Sequence, residues 1–474
     1  MAVISVPADR MGKKLTVCLV FFPRSIYNKL ISYVKFKKIF LSLSPRYWYN
    51  GGKDPYGKES RKGAVSMQRY DCLVIGAGFA GAVVAGELAR AGKKVLVLEK
   101  RPHVGGNAYD CLDDAGVLIH KYGPHIFHTN NARVFEYLSQ YTDWLDYQHR
   151  VVANVPKDGA PRERQEYPVP FNLTSLETAF GPEEGKRLGD KLIAAYGAEK
   201  KVTILELRQS RDPEIAALAD YVYDHVFVKY TMKQWGQTPE EIDPNTTARV
   251  PVFLSRDDRY FQDKYQGMPI DGYTPLVQKI LRHPNITLKL SADAKRHLTL
   301  GEGELLLDGE VFEGPVVYTG AVDEFFGLKH GRLPYRTLDF QFETWQEETF
   351  GKPVPKGRHA LTAGEFYQTH ATVNYTMDEP YTRITEFKRL TGQDLPGVTT
   401  IMKEHSRAYT GAPGEIPYYA IINEENNALY AKYKAEADGY KNLRLLGRLA
   451  EYKYYNMDAI IARALALADE LLER

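Results

Sequence analysis

The most regular pattern of apolar and polar positions lies between residues 70 and 100, in the stretch YDCLVIGAGFAGAVVAGELARAGKKVLVLEK. Cys72 to Ile75 is a short, continuously apolar run, which is typical of a strand buried in a parallel sheet. Apolar residues recur at helical spacing from Ala80 to Ala91, and Val95 to Leu98 is a second apolar run. The pattern predicts a strand, a helix and a second strand parallel to the first.

A glycine-rich turn joins the first predicted strand to the helix. Gly76, Gly78 and Gly81 have the G-x-G-x-x-G spacing: the first makes a tight turn, the second lets the backbone approach a pyrophosphate, and the third permits close helix–strand packing. Glu99 follows the second strand, where an acid accepts a hydrogen bond from a ribose hydroxyl. A tight turn in an unrelated fold needs neither these strands nor this acid, so the unit predicts a bound dinucleotide.

Residues 101–107, RPHVGGN, indicate which dinucleotide binds. They resemble the second glycine pair of the FAD-binding oxidase and reductase superfamily, where an arginine and a Gly-Gly turn meet the flavin nucleotide. Nicotinamide enzymes need no such extension, although Gly-Gly is also common in ordinary turns. We therefore predict FAD rather than NAD.

Later segments predict further elements around this unit. Residues 172–240 contain capping residues and apolar positions three and four apart, as expected for several helices. Asn456 is a suitable N-cap for an apolar helix from Met457 to Leu472. Strands are predicted at 336–342, 371–375, 383–387 and 443–446, and at 305–307 and 316–319 within the nucleotide-binding sheet.

Length and composition are typical of an enzyme with two or three domains. The 474 residues include three cysteines, Cys18, Cys72 and Cys111, which form no C-x-x-C pair and favour a reducing compartment. The 12 histidines have no metal-binding spacing such as H-E-x-x-H, so no metal is expected. No apolar run is long enough to span a bilayer. We predict a cytoplasmic protein that binds no nucleic acid.

Charge is distributed unequally along the chain. The formal net charge is +2, but residues 1–66 carry 13 Lys/Arg against three Asp/Glu. Met67 stands just before the first predicted strand, where many flavoproteins begin. The basic, aromatic extension 1–66 is therefore a non-native start, a disordered tail or an amphipathic membrane-surface segment. We favour the first, because nothing in the segment matches the motifs that follow.

Several longer strings carry a specific resemblance. They are similar to motifs of the bacterial-type UDP-galactopyranose mutase family: GGNAYD (105–110), KYGPHIFHT (121–129), YTMKQWG (230–236), RVP (249–251), RYFQDKYQG (259–267), PYTRITEF (380–387), IPYY (416–419) and GRLAEYKYYNMD (447–458). The resemblance runs in order from about residue 70 to the C-terminus. It implies an FAD-dependent isomerase that interconverts UDP-galactopyranose and UDP-galactofuranose and supplies galactofuranose for cell-surface glycans.

The resemblance also implies a fold and a division into domains. We expect an α/β fold with a Rossmann-like FAD-binding domain made of residues 67–145, 268–330 and 415–474. An inserted helical substrate and lid domain (172–260) and an antiparallel sheet domain (146–171 and 331–414) complete it. A homodimer or higher homo-oligomer is expected, with no membrane-surface partner.

Site residues follow from the same motifs, position by position. Arg249 and Arg383 are the expected diphosphate ligands, because a planar guanidinium makes paired charge-assisted hydrogen bonds. His128 is expected beside the reactive edge of the flavin, with His125 as its companion. The other expected substrate contacts are His149, Phe227, Tyr230, Thr231, Trp235, Tyr260, Asn374, Tyr419 and Tyr454. Beyond the glycine turn and Glu99, the other expected cofactor contacts are Phe79, Ala80, Lys100, Gly106, Asn107, Arg448, Asn456 and Met457.

Some of these residues have a simple structural alternative. Phe227 and Tyr230, three positions apart on a predicted helix, are expected to present aromatic faces to the uracil. Trp235 matches a tryptophan on a mobile lid, with Gly236 and the loop up to residue 251 as the moving segment. In the structural alternative the arginines form surface ion pairs and Trp235 belongs to the core.

The implied reaction contracts a sugar ring without net oxidation, and no carboxylate pair is placed for this work. In the family, N5 of the reduced flavin attacks the anomeric carbon, so reduced FAD is the expected active form. Two alternatives stay open: an amine-oxidase-like flavin oxidoreductase, and a catalytically weak flavoprotein that serves as a binding module. The only support for the second alternative is Asn456, where relatives commonly have Asp, together with the basic extension.

Overall fold

The structure is a computed structural model that describes residues 70–238, 251–347, 357–361 and 366–473. The predictions for the N-terminal extension, for Arg249 and for the loop between residues 239 and 250 therefore lie outside the described residues. Within the described part of the chain, no helix is both long enough and apolar enough to cross a membrane. The same residues contain no cluster of three or more His, Cys, Asp or Glu side chains arranged to hold a metal.

In the part of the chain that the structure describes, short strands outnumber helices. The strands are β1 (Cys72–Ile75), β2 (Val95–Leu98), β3 (Asp110–Leu112), β4 (Leu118–His120), β5 (Phe127–Thr129), β6 (Trp144–Leu145), β7 (Val151–Lys157), β8 (Ala160–Val169), β9 (Lys201–Val202), β10 (Val252–Phe253), β11 (Tyr265–Pro269), β12 (Ile286–Lys289), β13 (Leu298–Leu300), β14 (Leu305–Leu307), β15 (Glu310–Val311), β16 (Val316–Tyr318), β17 (Tyr335–Gln346), β18 (His359–Ala360), β19 (Thr372–Tyr375), β20 (Arg383–Glu386), β21 (Val398–Ala408), β22 (Tyr419–Ala420) and β23 (Leu443–Leu445).

Among the described residues, helices are most frequent between residues 173 and 235 and near the C-terminus. They are α1 (Phe79–Arg90), α2 (Ala132–Ser139), α3 (Leu173–Phe180), α4 (Pro182–Tyr196), α5 (Ile204–Arg208), α6 (Pro213–Val222), α7 (Val228–Trp235), α8 (Tyr273–Leu281), α9 (Val322–Phe325), α10 (Phe387–Thr391), α11 (Glu424–Asp438) and α12 (Met457–Leu472). A π-helical turn, Tyr223–Phe227, separates α6 from α7.

The predicted strand–helix–strand unit forms the centre of a parallel sheet. In the described residues the strand order of this sheet is β12-β2-β1-β16-β23, and every neighbouring pair runs parallel. All residues of β1 and β2 are buried, because both faces of the sheet are covered, as their continuously apolar sequences predict. The prediction of β1, α1 and β2 is confirmed, as are β16, β23 and α12.

One strand predicted for this sheet lies elsewhere. Leu305–Leu307 forms β14, which pairs antiparallel with β13 and β15 in a separate small sheet. Asp308 (φ 50°) and Gly309 (φ 88°) are both left-handed, which closes a tight hairpin between β14 and β15. The edge of the parallel sheet is instead β12, which the sequence did not predict.

A second large sheet is mixed and mainly antiparallel. Among the described residues its order is β18-β17-β21-β20-β19-β7-β8, with β22 paired to β17. Two of its pairs, β7 with β19 and β17 with β18, run parallel. The predicted strands at 336–342, 371–375 and 383–387 correspond to β17, β19 and β20 and are confirmed.

Helices α3 to α7 pack around their own apolar core, which includes Leu176, Leu192 and Val222. Side-chain caps begin several of them: Asn172 accepts a hydrogen bond from the backbone N–H of Ser175, and Asp212 accepts from the N–H groups that start α6. The predicted helical region 172–240 is therefore confirmed over its described residues. The domain boundaries drawn from the sequence stay a prediction.

Candidate active site

A cavity of about 1390 Å³ extends from the glycine turn after β1 to the paired strands β19 and β20. Ligand pockets usually measure about 300–1,000 Å³, so this cavity has room for a dinucleotide and a second ligand together. Most of the predicted site residues line it. The fold therefore brings residues from motifs that are far apart in the sequence into one cavity.

The glycine turn is built so closely that only glycine fits. A Cβ at Gly76 (φ 103°) would lie 2.0 Å from Oγ1 of Thr319, and a Cβ at Gly106 would lie 2.9 Å from Cα of Gly78. A Cβ at Gly81 would lie 2.0 Å from the carbonyl oxygen of Gly76. The turn and the second glycine pair therefore meet backbone to backbone beside the first turn of α1, whose N–H groups suit an anion.

Charged groups at this end of the cavity also fit a dinucleotide. Glu99 accepts hydrogen bonds from the backbone N–H groups of Ala77 (2.7 Å) and Arg101 (2.8 Å), which fixes its carboxylate at the end of β2. Arg101 donates through Nη2 to Asn107 (2.9 Å), while its buried Nη1 has no partner among the described residues. An unpaired buried guanidinium N–H beside a glycine cradle suits a pyrophosphate. The residues present therefore fit a dinucleotide cofactor.

The histidines of the KYGPHIFHT motif lie after a turn and on a strand. His125 follows a turn, where its backbone N–H donates to Nδ1 of His120 (3.0 Å). Burial lowers the pKa of His120 to about 3 and that of His125 to about 4, so both rings are neutral. His128 is on β5 and lines the cavity.

The far end of the cavity is rich in aromatic side chains. The rings of Tyr419 and Tyr454 lie parallel with centroids 5.8 Å apart, and Trp235 lies 5.6 Å from Tyr419. The guanidinium of Arg448 lies 4.8 Å from the ring centre of Tyr454. Tyr230 also lines the cavity, and burial raises the pKa of its hydroxyl. Together these side chains offer aromatic faces and a cation to the flat and anionic parts of a ligand.

Arg383 on β20 provides a cation in this region. Its Nη2 donates to Oε1 of Glu404 (3.0 Å), and that carboxylate is fully buried. Burial is the largest influence on the pKa of Arg383 and lowers it, but Glu404 and the neighbouring tyrosines together outweigh burial and hold the guanidinium pKa well above its ordinary value. Nε of Arg383 and Oδ1 of the adjacent Asn374 are buried without partners among the described residues. The pair therefore has hydrogen-bonding capacity left for a polar ligand.

His149 lies beside these groups. Its Nδ1 is 2.9 Å from the hydroxyl of Tyr147, and its ring meets Tyr260 edge to face at 5.8 Å. Burial, with a contribution from Arg383, lowers the pKa of His149 to about 3. His149 is therefore a neutral hydrogen-bonding group in the cavity wall.

The C-terminal end of α7, next to Trp235, is held by two cations that the sequence did not single out, the half-buried Lys233 and the buried Arg336. Lys233 donates to the carbonyl oxygens of Tyr375 (2.5 Å), Glu379 (3.0 Å) and Tyr381 (2.9 Å). Arg336 donates to the carbonyl oxygens of Gln234 (3.1 Å) and Lys233 (3.3 Å). The described part of the expected lid therefore starts from a fixed base.

Three of the predicted site residues that the structure describes do not line the cavity. Phe227 ends the π-helical turn and packs into the core of α3 to α7. Thr231 is buried, and Gly81 contacts the turn through packing alone. Arg249 lies outside the described residues. All the others line the cavity: Gly76, Gly78, Phe79, Ala80, Glu99, Lys100, Gly106, Asn107, His125, His128, His149, Tyr230, Trp235, Tyr260, Asn374, Arg383, Tyr419, Arg448, Tyr454, Asn456 and Met457.

Asn456 is the N-cap residue of α12, as predicted. Its side chain makes no capping hydrogen bond in the described structure. It lines the cavity instead, next to Met457.

The fold and the cavity define a flavoprotein-type dinucleotide-binding protein with a second, aromatic and cationic binding region. Residues 74–141 match the model of the NAD(P)-binding Rossmann-like domain, and residues 225–454 match that of UDP-galactopyranose mutase. The chain belongs to the UDP-galactopyranose mutase family, and it is an enzyme of the isomerase class. The resemblance seen in the motifs is confirmed.

Two relatives are similar over nearly their whole length. A UDP-galactopyranose mutase of Mycoplasma pneumoniae is 34% identical over 414 residues, which cover 86% of this chain and 98% of that protein. A dTDP-fucopyranose mutase of Escherichia coli is 35% identical over 402 residues, covering 84% of this chain and 97% of that protein.

Solved structures share the fold. A reduced UDP-galactopyranose mutase superimposes with a TM-score of 0.56 at 17% identity, covering 85% of this chain and 94% of that one. A putrescine oxidase variant superimposes with a TM-score of 0.51 at 12% identity, covering 85% of this chain and 99% of that one. The expected α/β fold with a Rossmann-like domain is confirmed.

Proposed function

We propose that the protein interconverts UDP-galactopyranose and UDP-galactofuranose and uses reduced FAD as its cofactor. The observation that carries the proposal is the continuity of the cavity, in which the glycine cradle for a dinucleotide opens directly onto the tyrosines and Arg383. A nucleotide sugar offers a flat base, a dianionic diphosphate and a polar hexose. The far end of the cavity has an aromatic surface, a buried cation and neutral hydrogen-bonding groups to match them.

The residues around the glycine turn would hold the cofactor. Gly76, Gly78 and Gly106 admit its pyrophosphate backbone to backbone, Arg101 offers it a free N–H, and Glu99 lies where a ribose hydroxyl would meet it. When bound, reduced FAD supplies a nucleophilic nitrogen, N5, for the anomeric carbon of the sugar. This chemistry leaves the protein with the tasks of binding, orientation and proton placement.

The other residues would position UDP. Arg383 would bind the diphosphate and keep UDP close to the sugar, together with Arg249 from the segment outside the described residues. Tyr230 would lie against the uracil, while Tyr419 and Tyr454 stack beside the diphosphate. Trp235 would complete the enclosure from the fixed end of α7.

The sugar specificity needs a separate argument, because one of the similar relatives is named for dTDP-fucopyranose. Galactose differs from fucose by the hydroxyl on its sixth carbon. A site that prefers galactose needs a buried polar group that forms a hydrogen bond with this hydroxyl. His149 and Asn374 are neutral, buried and adjacent to Arg383, so they are suited to this task. We therefore propose UDP-galactose rather than dTDP-fucose as the preferred substrate.

The decisive experiment measures the reaction directly. Purified protein is incubated with UDP-galactofuranose, with and without dithionite, and the nucleotide sugars are separated by anion-exchange chromatography. We expect UDP-galactopyranose to form only after reduction, and dTDP-fucofuranose to react at a rate at least tenfold lower. No conversion of either compound by the reduced, flavin-loaded protein would overturn the proposal. Faster conversion of dTDP-fucofuranose would overturn the choice of sugar.

The same preparation tests the remaining alternatives. Oxygen consumption with putrescine or other amines would favour the amine-oxidase-like oxidoreductase, and UDP binding without turnover would favour the binding module. We further propose a homo-oligomer in the cytoplasm. Light scattering of the flavin-loaded protein measures the first, and cell fractionation the second.

A further inference from the structure

A histidine–carboxylate pair lies in the wall of the cavity. Nδ1 of His128 is 2.8 Å from Oδ2 of Asp263, and both side chains are largely shielded from solvent. The imidazole stacks on the ring of Phe261, with centroids 3.5 Å apart and an angle of 11° between the planes. The ring of His128 is therefore fixed in plane and in orientation.

The second oxygen of Asp263 is also engaged. Nδ2 of Asn130 donates to Oδ1 of Asp263 (2.6 Å), and Oδ1 of Asn130 accepts from the backbone N–H of Lys264 (2.9 Å). Because its oxygen already accepts from the backbone, the amide of Asn130 has its NH₂ toward Asp263. The neighbouring strands β5 and β11, with His128 opposite Gln266, support this arrangement.

This geometry decides where His128 carries its proton. An ionised carboxylate only accepts hydrogen bonds, so Nδ1 of His128 must donate. In the neutral ring, Nε2 is then an acceptor, and it has no hydrogen-bond partner among the described residues.

We propose that Asp263 is a positioning residue that keeps the proton of His128 on Nδ1 and leaves Nε2 free to accept a hydrogen bond in the cavity. The identity of the group that donates to Nε2, a flavin N–H or a sugar hydroxyl, rests on the proposed function. The position of the proton on the His128 ring does not depend on that function.

Replacing Asp263 with asparagine gives a sharp prediction. Asn130 still presents its NH₂, so the oxygen of the new side-chain amide stays on that side. The NH₂ of the new amide then faces Nδ1 of His128, which must accept. The Asp263→Asn variant therefore moves the proton of His128 to Nε2 with almost no change in shape.

Nitrogen-15 NMR of histidine-labelled, flavin-loaded protein at about pH 8.5, where imidazole is neutral, measures the tautomer directly. The His128→Gln variant assigns the signals. We expect Nδ1–H in the wild type and Nε2–H in Asp263→Asn. In the double variant Asp263→Asn/Asn130→Ala the new amide is free to reverse, so the wild-type tautomer returns.

A matched control lies outside the cavity. His297 and Asp308 form the same contact, with Nδ1 2.8 Å from Oδ1. Asp308 is left-handed (φ 50°), a conformation that asparagine tolerates well. Asp308→Asn is therefore expected to leave the His128 signals and the mutase rate unchanged.

The kinetic consequence is a lower kcat with little change in KM, because Arg383 and the tyrosines that are proposed to hold UDP are untouched. For Asp263→Asn we expect a fall in kcat of about 10–100-fold, as for other residues that orient a functional side chain, and recovery in the double variant.

An Nε2–H tautomer in the wild type, or an unchanged tautomer in Asp263→Asn, would overturn the proposal. Inversion of the tautomer without a change in kcat would overturn its role in turnover. If the wild type shows the expected tautomer but no mutase activity, the proposed function fails and the assignment of the proton stands.

Discussion

Arg383 and Glu404 form a buried ion pair in a cavity that is proposed to bind a dianion. Glu404 is fully buried and Arg383 is mostly buried, so each charge depends on the other in the free protein. A diphosphate that reaches Arg383 would supply a second counter-charge. The pair is therefore suited to stabilise the cation until the substrate arrives.

Glu404→Gln is expected to destabilise the ligand-free protein by about 3 kcal/mol, because it leaves a buried guanidinium without its counter-charge. UDP is expected to bind the variant at least as tightly as the wild type, since the diphosphate then replaces the lost carboxylate. Thermal unfolding with and without UDP measures both effects. The control Asp339→Asn removes a partner of the exposed Arg407 and is expected to change neither. A tenfold loss of UDP affinity in Glu404→Gln would contradict this account.

The buried His120 predicts an acid-sensitive step in stability. Its ring is packed against Tyr273 and Phe387, and burial lowers its pKa from 6.5 to about 3. Between these values the unfolded chain binds a proton that the folded protein does not. Stability is therefore complete above pH 6.5 and falls as the pH is lowered toward 3, by at most about 1.4 kcal/mol per pH unit from this residue.

The test compares urea unfolding midpoints between pH 7.5 and 4.5 in the wild type and in His120→Asn, which keeps an acceptor for the N–H of His125. We expect a flatter pH dependence in the variant. His297→Asn, at a partly exposed histidine, is the control. Equal slopes in the wild type and in His120→Asn would show that His120 does not carry the effect.

At the scale of elements, the end of α7 depends on Lys233. Burial lowers the pKa of this ammonium to about 8, and three backbone carbonyl oxygens accept hydrogen bonds from it. Lys233→Met leaves these carbonyls without a donor, at a cost of about 1–3 kcal/mol for each buried group. We expect a lower melting temperature and weaker UDP binding, because the end of α7 that carries Trp235 is no longer held in place.

Lys229→Met is the matched control on the same helix. Lys229 pairs with Asp378, whose side chain is 86% exposed, so its loss is expected to matter little. Melting temperatures by fluorescence and UDP titrations compare the two variants. Similar behaviour of both would contradict an anchoring role for Lys233.

The first turn of α1 predicts a second contrast. Gly81→Ala places a methyl group 2.0 Å from a backbone oxygen that cannot move without opening the glycine turn. Gly86→Ala, on the same helix, meets chiefly the Cγ2 methyl of Ile280 at 2.9 Å, which has some freedom to shift. We expect Gly81→Ala to lose most of its bound flavin, measured by absorbance at about 450 nm, a flavin band, and Gly86→Ala to keep it. Equal flavin content in both variants would contradict the cradle.

Elements were predictable where the signal was local. β1, α1 and β2 occupy one stretch of the chain in which apolar runs, glycines and helical spacing all agree. β14 was wrongly predicted to belong to the parallel sheet, because its three leucines look like a buried strand. The hairpin that contains them instead depends on the left-handed conformation of Asp308 and Gly309. The π-helical turn before α7 has no sequence signal, so the packing of Phe227 into the helical core was not foreseen.

Site residues followed the same rule. The motifs located most of the cavity wall, including Arg383 and His128. Asp263, Glu404 and Arg336 were not singled out, because their importance comes from contacts between segments far apart in sequence; Asp263 and His128 are separated by 135 positions. Pairing of this kind is decided by tertiary structure.

For the whole molecule, the continuity of the cavity predicts coupling between its two ligands. In the proposed function a bound flavin would form part of the wall that the second ligand meets, so UDP is expected to bind at least tenfold more weakly to flavin-free protein. Because coupling is reciprocal, UDP then tightens flavin binding by the same factor. Calorimetric titration of UDP into both forms measures it. Equal dissociation constants would mean that the two regions act independently.

The parallel sheet also has a consequence for the life of the nascent chain. β1 pairs with β2 soon after synthesis, but its other neighbour, β16, begins at Val316, roughly 240 residues later. At a typical rate of about 5–20 residues per second, the open edge of β1 waits on the order of 10–50 s for its partner. An apolar strand edge exposed for that long invites aggregation and chaperone binding. We therefore expect the cellular yield of this enzyme to depend on chaperone supply during translation.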